Sequence, residues 1–322
     1  NYFYQKMISR FLYRLLCKLT YLITPFRSKI LTIFKLRSRV INQLTSLRLK
    51  ANKSENYSNL VSKLLLNEKI VALDVGAQGG FNENIFPKKY NDFFSPIMVE
   101  PIKDEADKLK KENYKVISKG LWSNNCVKKL YIMKKRLGSS SLYKPNKDAY
   151  ALYDLKKKNY PSFEVSNEID IECTTIKESL NNLNIEKLDF LKIDTQGAEI
   201  EILKGLGNYL PLLLKIEVQI VPMYENIPDW SELINHLYKL NYMTCEWEEI
   251  GNHATHSPVE MDMLFIPNYL NHTGKELIMS RKKKFISLML IFGQIKLLQI
   301  ISTKLNFSET LEIEKLKDKF FY

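Results

Sequence analysis

The sequence predicts an α/β fold with a mostly parallel sheet, and three observations carry that prediction. Short apolar runs alternate with helical stretches from residue 55 to about residue 270, the order that builds parallel strands joined by crossover helices. The runs are nearly continuous in Val, Ile and Leu, as strands covered on both faces require. Two of them, Ile70-Val71-Ala72-Leu73-Asp74 and Asp189-Phe190-Leu191-Lys192-Ile193-Asp194, end in an acid and then turn at glycine into a helical stretch. In a doubly wound sheet this sets acids and glycines at the carboxyl edge, where ligands bind.

Taken in order, the strand at 70–75 is followed by one at 97–99, which ends in Glu100-Pro101, and by helical composition over 102–113. Strands at 115–118 and 129–133 come next. Residues 137–167 form a polar excursion opened by Leu137-Gly138-Ser139-Ser140-Ser141. A strand at 169–173 leads to Thr174-Thr175, whose hydroxyls suit the cap of a helix over 176–183. The strand at 188–193 precedes a helix over 198–206 that Gly207 stops. Strand 212–218, helix 230–240 and strands 242–247 and 260–266 complete the body. No internal repeat is present.

At 322 residues, 45% hydrophobic and 26% charged, the chain suits one globular domain (55–270) with extensions at 1–54 and 271–322. Cys17, Cys126, Cys173 and Cys245 are scattered with no CxxC pair, which fits reduced thiols in a cytoplasmic protein. The net charge of +12 is unevenly placed. Residues 1–50 hold eleven Lys/Arg and no acid, residues 271–322 carry a net +5, and residues 51–270 carry −4. A nucleic-acid enzyme places its positive stripe across the catalytic body, so no nucleic-acid partner is expected. The basic ends point to an anionic surface.

Lys6, Arg10, Arg14 and Lys18 recur every four residues along one helix face, opposite Met7, Ile8, Phe11, Leu12, Leu15 and Leu16, and Pro25 closes the segment. That is the pattern of a helix lying in a membrane interface, or of one packed on the body with its charges solvated. Charges running through the apolar stretch argue against a secretory signal. At the other end Arg281-Lys282-Lys283-Lys284 precedes an apolar run at 285–292, interrupted by Gly293-Gln294 and Lys296. The run is short of the roughly 18–20 apolar residues that span a bilayer. Residues 1–24 and 281–300 are therefore expected to touch an anionic membrane surface peripherally, with docking on the body as the alternative.

The turn after the first strand discriminates between cofactors. Its spacing, Gly76-x-x-Gly79-Gly80, is not the G-x-G-x-x-G of dinucleotide binders, and no G-x-x-x-x-G-K-[ST] phosphate loop exists. Asp74, Gly76, Ala77, Gln78 and Gly80 instead form a loop whose backbone passes close to an uncharged or zwitterionic group. Glu100 ends the next strand about 20 residues on, where an acid accepts hydrogen bonds from both ribose hydroxyls.

Val71-Ala72-Leu73-Asp74-Val75-Gly76-Ala77, Val99-Glu100-Pro101, Gly138-Ser139-Ser140-Ser141, Thr174-Thr175-Ile176 and Leu191-Lys192-Ile193-Asp194-Thr195-Gln196-Gly197-Ala198-Glu199 together resemble the FkbM-type methyltransferases, over roughly residues 68–268. Gln78 departs from the family, where Asn is common. The resemblance implies a Rossmann-like seven-stranded sheet with an antiparallel last strand, S-adenosylmethionine (SAM) as cofactor, and O-methylation of small molecules or sugar hydroxyls. It further implies that Asp74 and the backbone from Gly76 to Gly80 hold the methionine end of SAM. Glu100 would bind the ribose and Ile102 flank the adenine. Gly120, Leu121 and Trp122 would line the adenine, with Trp122 equally readable as a core aromatic.

Methyl transfer from a sulfonium leaves the enzyme two tasks, positioning and removal of the acceptor's proton. Asp194 is the leading base. Glu217, in Lys215-Ile216-Glu217-Val218, ends the next strand, where a charge in an apolar run is costly unless partnered or functional. His256, paired with His253 in an H-x-x-H loop, is the third candidate. Glu199 falls in the first turn of its helix. No complete metal-ligand set is evident: the histidine pair lacks a third ligand, and Asp194 with Glu217 is merely compatible with a divalent cation. The expected function is a SAM-dependent O-methyltransferase acting on a sugar, glycan or glycolipid hydroxyl. The alternatives are a membrane-associated scaffold on the same fold and a nucleic-acid methyltransferase, for which no N/D-P-P-Y/F/W element is present. Acceptor specificity is assigned to the segments 137–167 and 220–229.

Overall fold

The computed structural model describes residues 47–81, 85–151, 164–250 and 258–316. The N-terminal segment 1–24 and the histidines His253 and His256 lie outside the described residues. Two compact units divide the chain: a larger one, Ser58–Leu288, and a smaller one made of Asn1–Tyr57 with Met289–Tyr322.

The larger unit is an α/β sheet protein. Helix α1 (Ser58–Leu65) buries Val61, Leu64 and Leu65 and leads into strand β1 (Ile70–Val75). Strand β2 (Phe94–Val99), helix α2 (Lys103–Lys111) and strand β3 (Lys115–Ile117) follow. Helix α2 buries little beyond Ala106 and Leu109; Asp104 and Glu105 in its first turn and Lys108, Lys110 and Lys111 in its last complement the helix dipole. Strands β4 (Gly120–Leu121), β5 (Cys126–Met133) and β6 (Val165–Thr174) come next. Thr175 caps helix α3 (Ile176–Asn182) by accepting the Glu178 amide at 3.0 Å, as its position in the sequence predicts. Strand β7 (Phe190–Ile193), helix α4 (Glu199–Lys204), strand β8 (Leu213–Gln219) and helix α5 (Trp230–Lys239) then alternate. Asp229 starts α5 with a capping box completed by Glu232. Strands β9 (Tyr242–Ile250) and β10 (Glu260–Pro267) and helix α6 (His272–Ser280) close the unit, and helix α7 (Lys282–Ile291) begins in it.

Seven strands form one sheet in the order β3-β2-β1-β7-β8-β10-β9. All run parallel except β10, the last in the chain, which is antiparallel to both β8 and β9. This is the Rossmann-like arrangement with an antiparallel last strand. The chain winds outward from β1 through β2 to β3 and returns to β7 on the other side of β1. The β1/β7 boundary is therefore the topological switch point, where a crevice opens at the carboxyl ends of the strands. A separate three-stranded sheet, β4-β6-β5, carries the strands predicted near 129–133 and 169–173. Its Leu121, Leu130, Ile171 and Cys173 join Leu73, Val75, Leu191, Ile193 and Ile216 of the main sheet in one apolar core.

The compact unit continues past residue 270 because α6 and the start of α7 are tied to the sheet. Asp189, at the entry to β7, is fully buried; it accepts the Val71 amide at 3.0 Å, Arg281 Nη1 at 2.9 Å and Lys284 Nζ at 2.8 Å. Arg281 also donates to the carbonyls of Leu188 and Leu210. Two of the four basic residues at 281–284 are thus turned inward, Lys283 is the exposed one, and Phe285, Ile286 and Leu288 to Phe292 are all buried. Within the segment 281–300, Arg281 and Lys284 pair with Asp189, residues 285–295 are buried, and Lys283, Lys296 and Ile300 are exposed. In the smaller unit, helix α8 (Ile295–Lys304) holds helix α9 (Thr310–Glu314) through Gln299, whose amide donates to the carbonyls of Ile313 and Leu316. Among the described residues no helix is long and apolar enough to cross a membrane.

Candidate functional site

A cavity of about 270 Å³ opens at the β1/β7 switch point. Its first side is the loop after β1. Gly76 has φ +79°, and a Cβ there would sit 1.9 Å from the Asp194 carbonyl oxygen, so only glycine lets the two strand-end loops touch. Gln78 and Gly80 also line the cavity, with the Gln78 side chain beside Gly138 of the loop at Leu137–Ser139. Ala77 is buried and donates its amide to Val99 O; it is not among the described lining residues.

Glu100 stands at the end of β2, buried, with Oε1 accepting the Ile102 amide at 2.8 Å. Burial pushes its carboxyl up to about 7, partly opposed by the Ile102 hydrogen bond and assisted by Glu105. Ile102, Gly120, Leu121, Leu130 and Ile171 give the cavity apolar walls on this side. A Cβ on Gly120 would meet Cys173 Sγ at 2.7 Å and Ile171 Cδ1 at 2.9 Å, so the absence of a side chain lets β4 pack closely on β6. Trp122 is buried in the apolar core and is not among the described residues lining the cavity; its amide donates to Thr174 O, and Lys128 Nζ lies 4.2 Å over its ring.

The opposite side is built by register. Asp74 of β1 pairs with Lys192 of β7, and Lys192 with Lys215 of β8; two residues further along the same face come Asp194 and Glu217. Asp262 of β10 lies opposite Glu217 and bonds Lys215. All six line the cavity. Asp74 is 1% exposed and its Oδ1 lies 3.1 Å from Lys192 Nζ in an ion pair lacking hydrogen-bond geometry, while Lys192 Nζ donates to Gly76 O at 3.1 Å. Burial raises the Asp74 carboxyl, with Lys192 pulling against it. Burial alone would lower the Lys192 ammonium, but Asp74 and Asp194 reverse this and hold it above its ordinary value.

Asp194 and Glu217 are brought together by Gln196, whose Nε2 donates to Asp194 Oδ1 at 3.2 Å and to Glu217 Oε1. Burial, then the charges of Asp194, Glu260, Asp262 and Glu199, push Glu217 well above the usual carboxylate range. Glu199 is structural: buried at the start of α4, it accepts the Thr195 and Gly197 amides and the Thr195 hydroxyl, and so shapes the loop after β7. The third candidate base, His256, is outside the described residues. The two segments assigned to acceptor choice meet. Asn146 N donates to Met223 O at 2.8 Å, Glu225 N to Lys144 O at 2.7 Å, and buried Tyr224 reaches Ser139 O at 2.8 Å. Sequence reasoning did not single out Lys192, Lys215, Asp262 or Gln196. The signal available for the first two was the twin Lys-Ile-Asp and Lys-Ile-Glu, two strands carrying charge at the same alternate positions.

These features define a class: a doubly wound α/β protein with an acid-lined cleft at its switch point, apolar on one side and charged on the other. The family model for the methyltransferase FkbM domain matches residues 74–243, just over half the chain, and the chain belongs to that family. No curated protein matches it.

Proposed function

We propose that the protein is a SAM-dependent O-methyltransferase acting on a hydroxyl of a sugar, glycan or glycolipid precursor. One observation carries the reading: a single cavity has the buried carboxyl of Glu100 on one side and the Asp194–Glu217 pair on the other. The residues present fit the cofactor. Asp74 Oδ1 is a buried acceptor paired with the Lys192 ammonium but without a hydrogen bond, a charge that an incoming ammonium would share with Lys192. Glu100, with one oxygen steadied by the Ile102 amide, suits a ribose diol, and the walls at Ile102, Gly120 and Leu121 suit a flat base. When bound, SAM supplies a methyl group on a positively charged sulfur. The chain's own part is to hold an acceptor hydroxyl in line, take its proton on a carboxylate at the Asp194–Glu217 side, and balance positive charge with that acidic wall.

Calorimetric titration of the full chain with SAM tests the reading. Micromolar binding is expected, weakened at least tenfold by Glu100→Ala, followed by S-adenosylhomocysteine release when neutral glycosides are supplied. No binding at high micromolar SAM overturns it. Residues 1–24 are proposed to hold the enzyme at an anionic membrane surface, supported by the eleven basic and no acidic residues in 1–50. Equal failure to float with anionic and neutral liposomes overturns that part.

A further inference from the structure

The acidic wall contains four carboxylate oxygens from Asp194 and Glu217, and three of them are engaged. Asp194 Oδ1 accepts from Gln196 Nε2 at 3.2 Å, and Asp194 Oδ2 lies 3.6 Å from the Lys192 ammonium. Glu217 Oε1 accepts from the same Gln196 amide and, at 3.5 Å, from Gln219 Nε2. Glu217 Oε2 has no partner among the described residues. A primary amide has two N–H groups, and here one is available to each carboxylate.

Gln196 itself is held firmly. Its backbone sits at φ +59°, its carbonyl accepts the Ser141 hydroxyl at 2.7 Å, and its Oε1 faces the hydroxyl of buried Tyr224 at 2.9 Å. The two carboxylate oxygens select the orientation of the amide, with nitrogen toward them, and Gln196 Oε1 shares the single Tyr224 hydroxyl hydrogen with Ser139 O. Gln196 is buried and not among the cavity-lining residues, so it acts through the acids that do line it.

We propose that Gln196 is the positioning residue of this site: it fixes Glu217 Oε1 as an acceptor and leaves Glu217 Oε2, and not Asp194, to take the proton of the methyl acceptor. The base role rests on the methyltransferase reading. In that reaction the acceptor oxygen bonds the methyl carbon as the carbon–sulfur bond breaks, sulfur keeps the bonding pair, and the hydroxyl proton passes to Oε2. Every methyl delivered is thus matched by one proton on Glu217. The groups facing that carboxyl agree with the assignment. Asp194 just after β7, Asp262 and Glu260 from β10 and Glu199 from α4 raise its proton affinity beyond what burial does; Lys192, paired with Asp74 and Asp194, pulls against them, and Lys215 is paired with Asp262. A base of raised proton affinity is the kind suited to a weakly acidic hydroxyl near neutral pH.

Carboxyl-carbon NMR titration of the full chain tests the proposal, using wild type, Glu217→Gln, Gln196→Leu and Tyr224→Phe. Several carboxyls, Glu100 and Asp74 among them, are expected above the ordinary range in wild type, and the one assigned to Glu217 is the one that disappears in Glu217→Gln. Removing an N–H donor to the charged form raises a carboxyl pKa, so Gln196→Leu moves that midpoint up by about one unit, tenfold in proton affinity. Tyr224→Phe, which keeps the side-chain volume and frees the amide, moves it the same way by less and decides the matter if Gln196→Leu does not fold. S-adenosylhomocysteine affinity is expected within about threefold of wild type in the folded Gln196 and Tyr224 variants, a split that a general collapse of the site would not give. A Glu217 midpoint that stays put in the folded Gln196 or Tyr224 variants, or a set of raised carboxyls that Glu217→Gln leaves complete, overturns the proposal. Absence of S-adenosylhomocysteine binding in wild type counts against the functional reading alone, since the titration is also read on the free protein.

Discussion

Glu100 shows how a single side chain trades stability for a prospective contact. Its carboxyl is pushed from an ordinary value of 4.5 to about 7 by burial, so the folded chain holds this proton more tightly than the unfolded chain. The resulting stabilisation is complete below pH 4.5 and is lost as pH rises through 7. Glu100→Gln is therefore expected to match wild type in urea unfolding near pH 4 and to exceed it by about 1–3 kcal/mol at pH 8. The same variant loses the proposed ribose contact, and equal stabilities at pH 8 would show that the carboxyl is not desolvated. Gly76 was legible in the sequence as a tight turn, but its reason was not, because the obstacle is the Asp194 carbonyl 118 residues away in the chain. Gly76→Ala combines a positive φ with a backbone clash and is expected to cost at least ~3 kcal/mol in thermal unfolding. Gly80→Ala, also at positive φ but with its nearest neighbour at 3.6 Å, is expected to cost about 1 kcal/mol.

Between elements, the sequence was most legible where one strand explains itself. Strands β1, β7 and β8 are continuous apolar runs with an internal charge, and their ends hold the acids they were expected to hold. Pairing was much less legible. Strands β5 and β6 leave the main sheet for a second one because their partners are each other, in a register running from Cys126↔Cys173 to Met133↔Val165 that periodicity cannot reveal. The union of 144–146 with 222–225 is equally long-range. Cross-strand charge is the clearest element-level consequence of register. Lys192, 12% exposed, faces fully buried Asp74, whereas Lys215 faces Asp262, whose side chain is 27% exposed. Lys192→Met strands a buried carboxylate and is expected to cost about 3–5 kcal/mol; Lys215→Met, beside a better solvated acid, about 1–2 kcal/mol. Adding Asp74→Asn to Lys192→Met is expected to recover part of the loss, and a strictly additive double variant would deny the coupling.

On the scale of the whole molecule, the sequence located its basicity correctly at the two ends but could not say what the second basic end does. Arg281 and Lys284 read as a surface patch because nothing nearby in the chain is acidic enough to claim them. Their partner, Asp189, lies more than 90 residues earlier and is the entry residue of the strand that carries Asp194. The seven-stranded sheet is thus closed by residues beyond the boundary that alternation of strands and helices suggested. This makes truncation informative. A chain ending at residue 270 loses both cations and keeps the Val71 amide as the one remaining bonded partner of Asp189 among the described residues, a cost of up to about 3–5 kcal/mol where the carboxylate stays covered. That is a large share of a domain's usual stability of roughly 5–15 kcal/mol, before the loss of α6 is counted. A chain spanning 58–288 is expected to unfold cooperatively in thermal denaturation, and one spanning 58–270 to melt far lower or without a sharp transition. Asp189→Asn placed in the shorter chain removes the unpaired charge while keeping an acceptor for Val71, and is expected to restore part of the melting temperature. If that substitution instead destabilises the short chain as much as the long one, the ion pairs with Arg281 and Lys284 are not what closes the sheet.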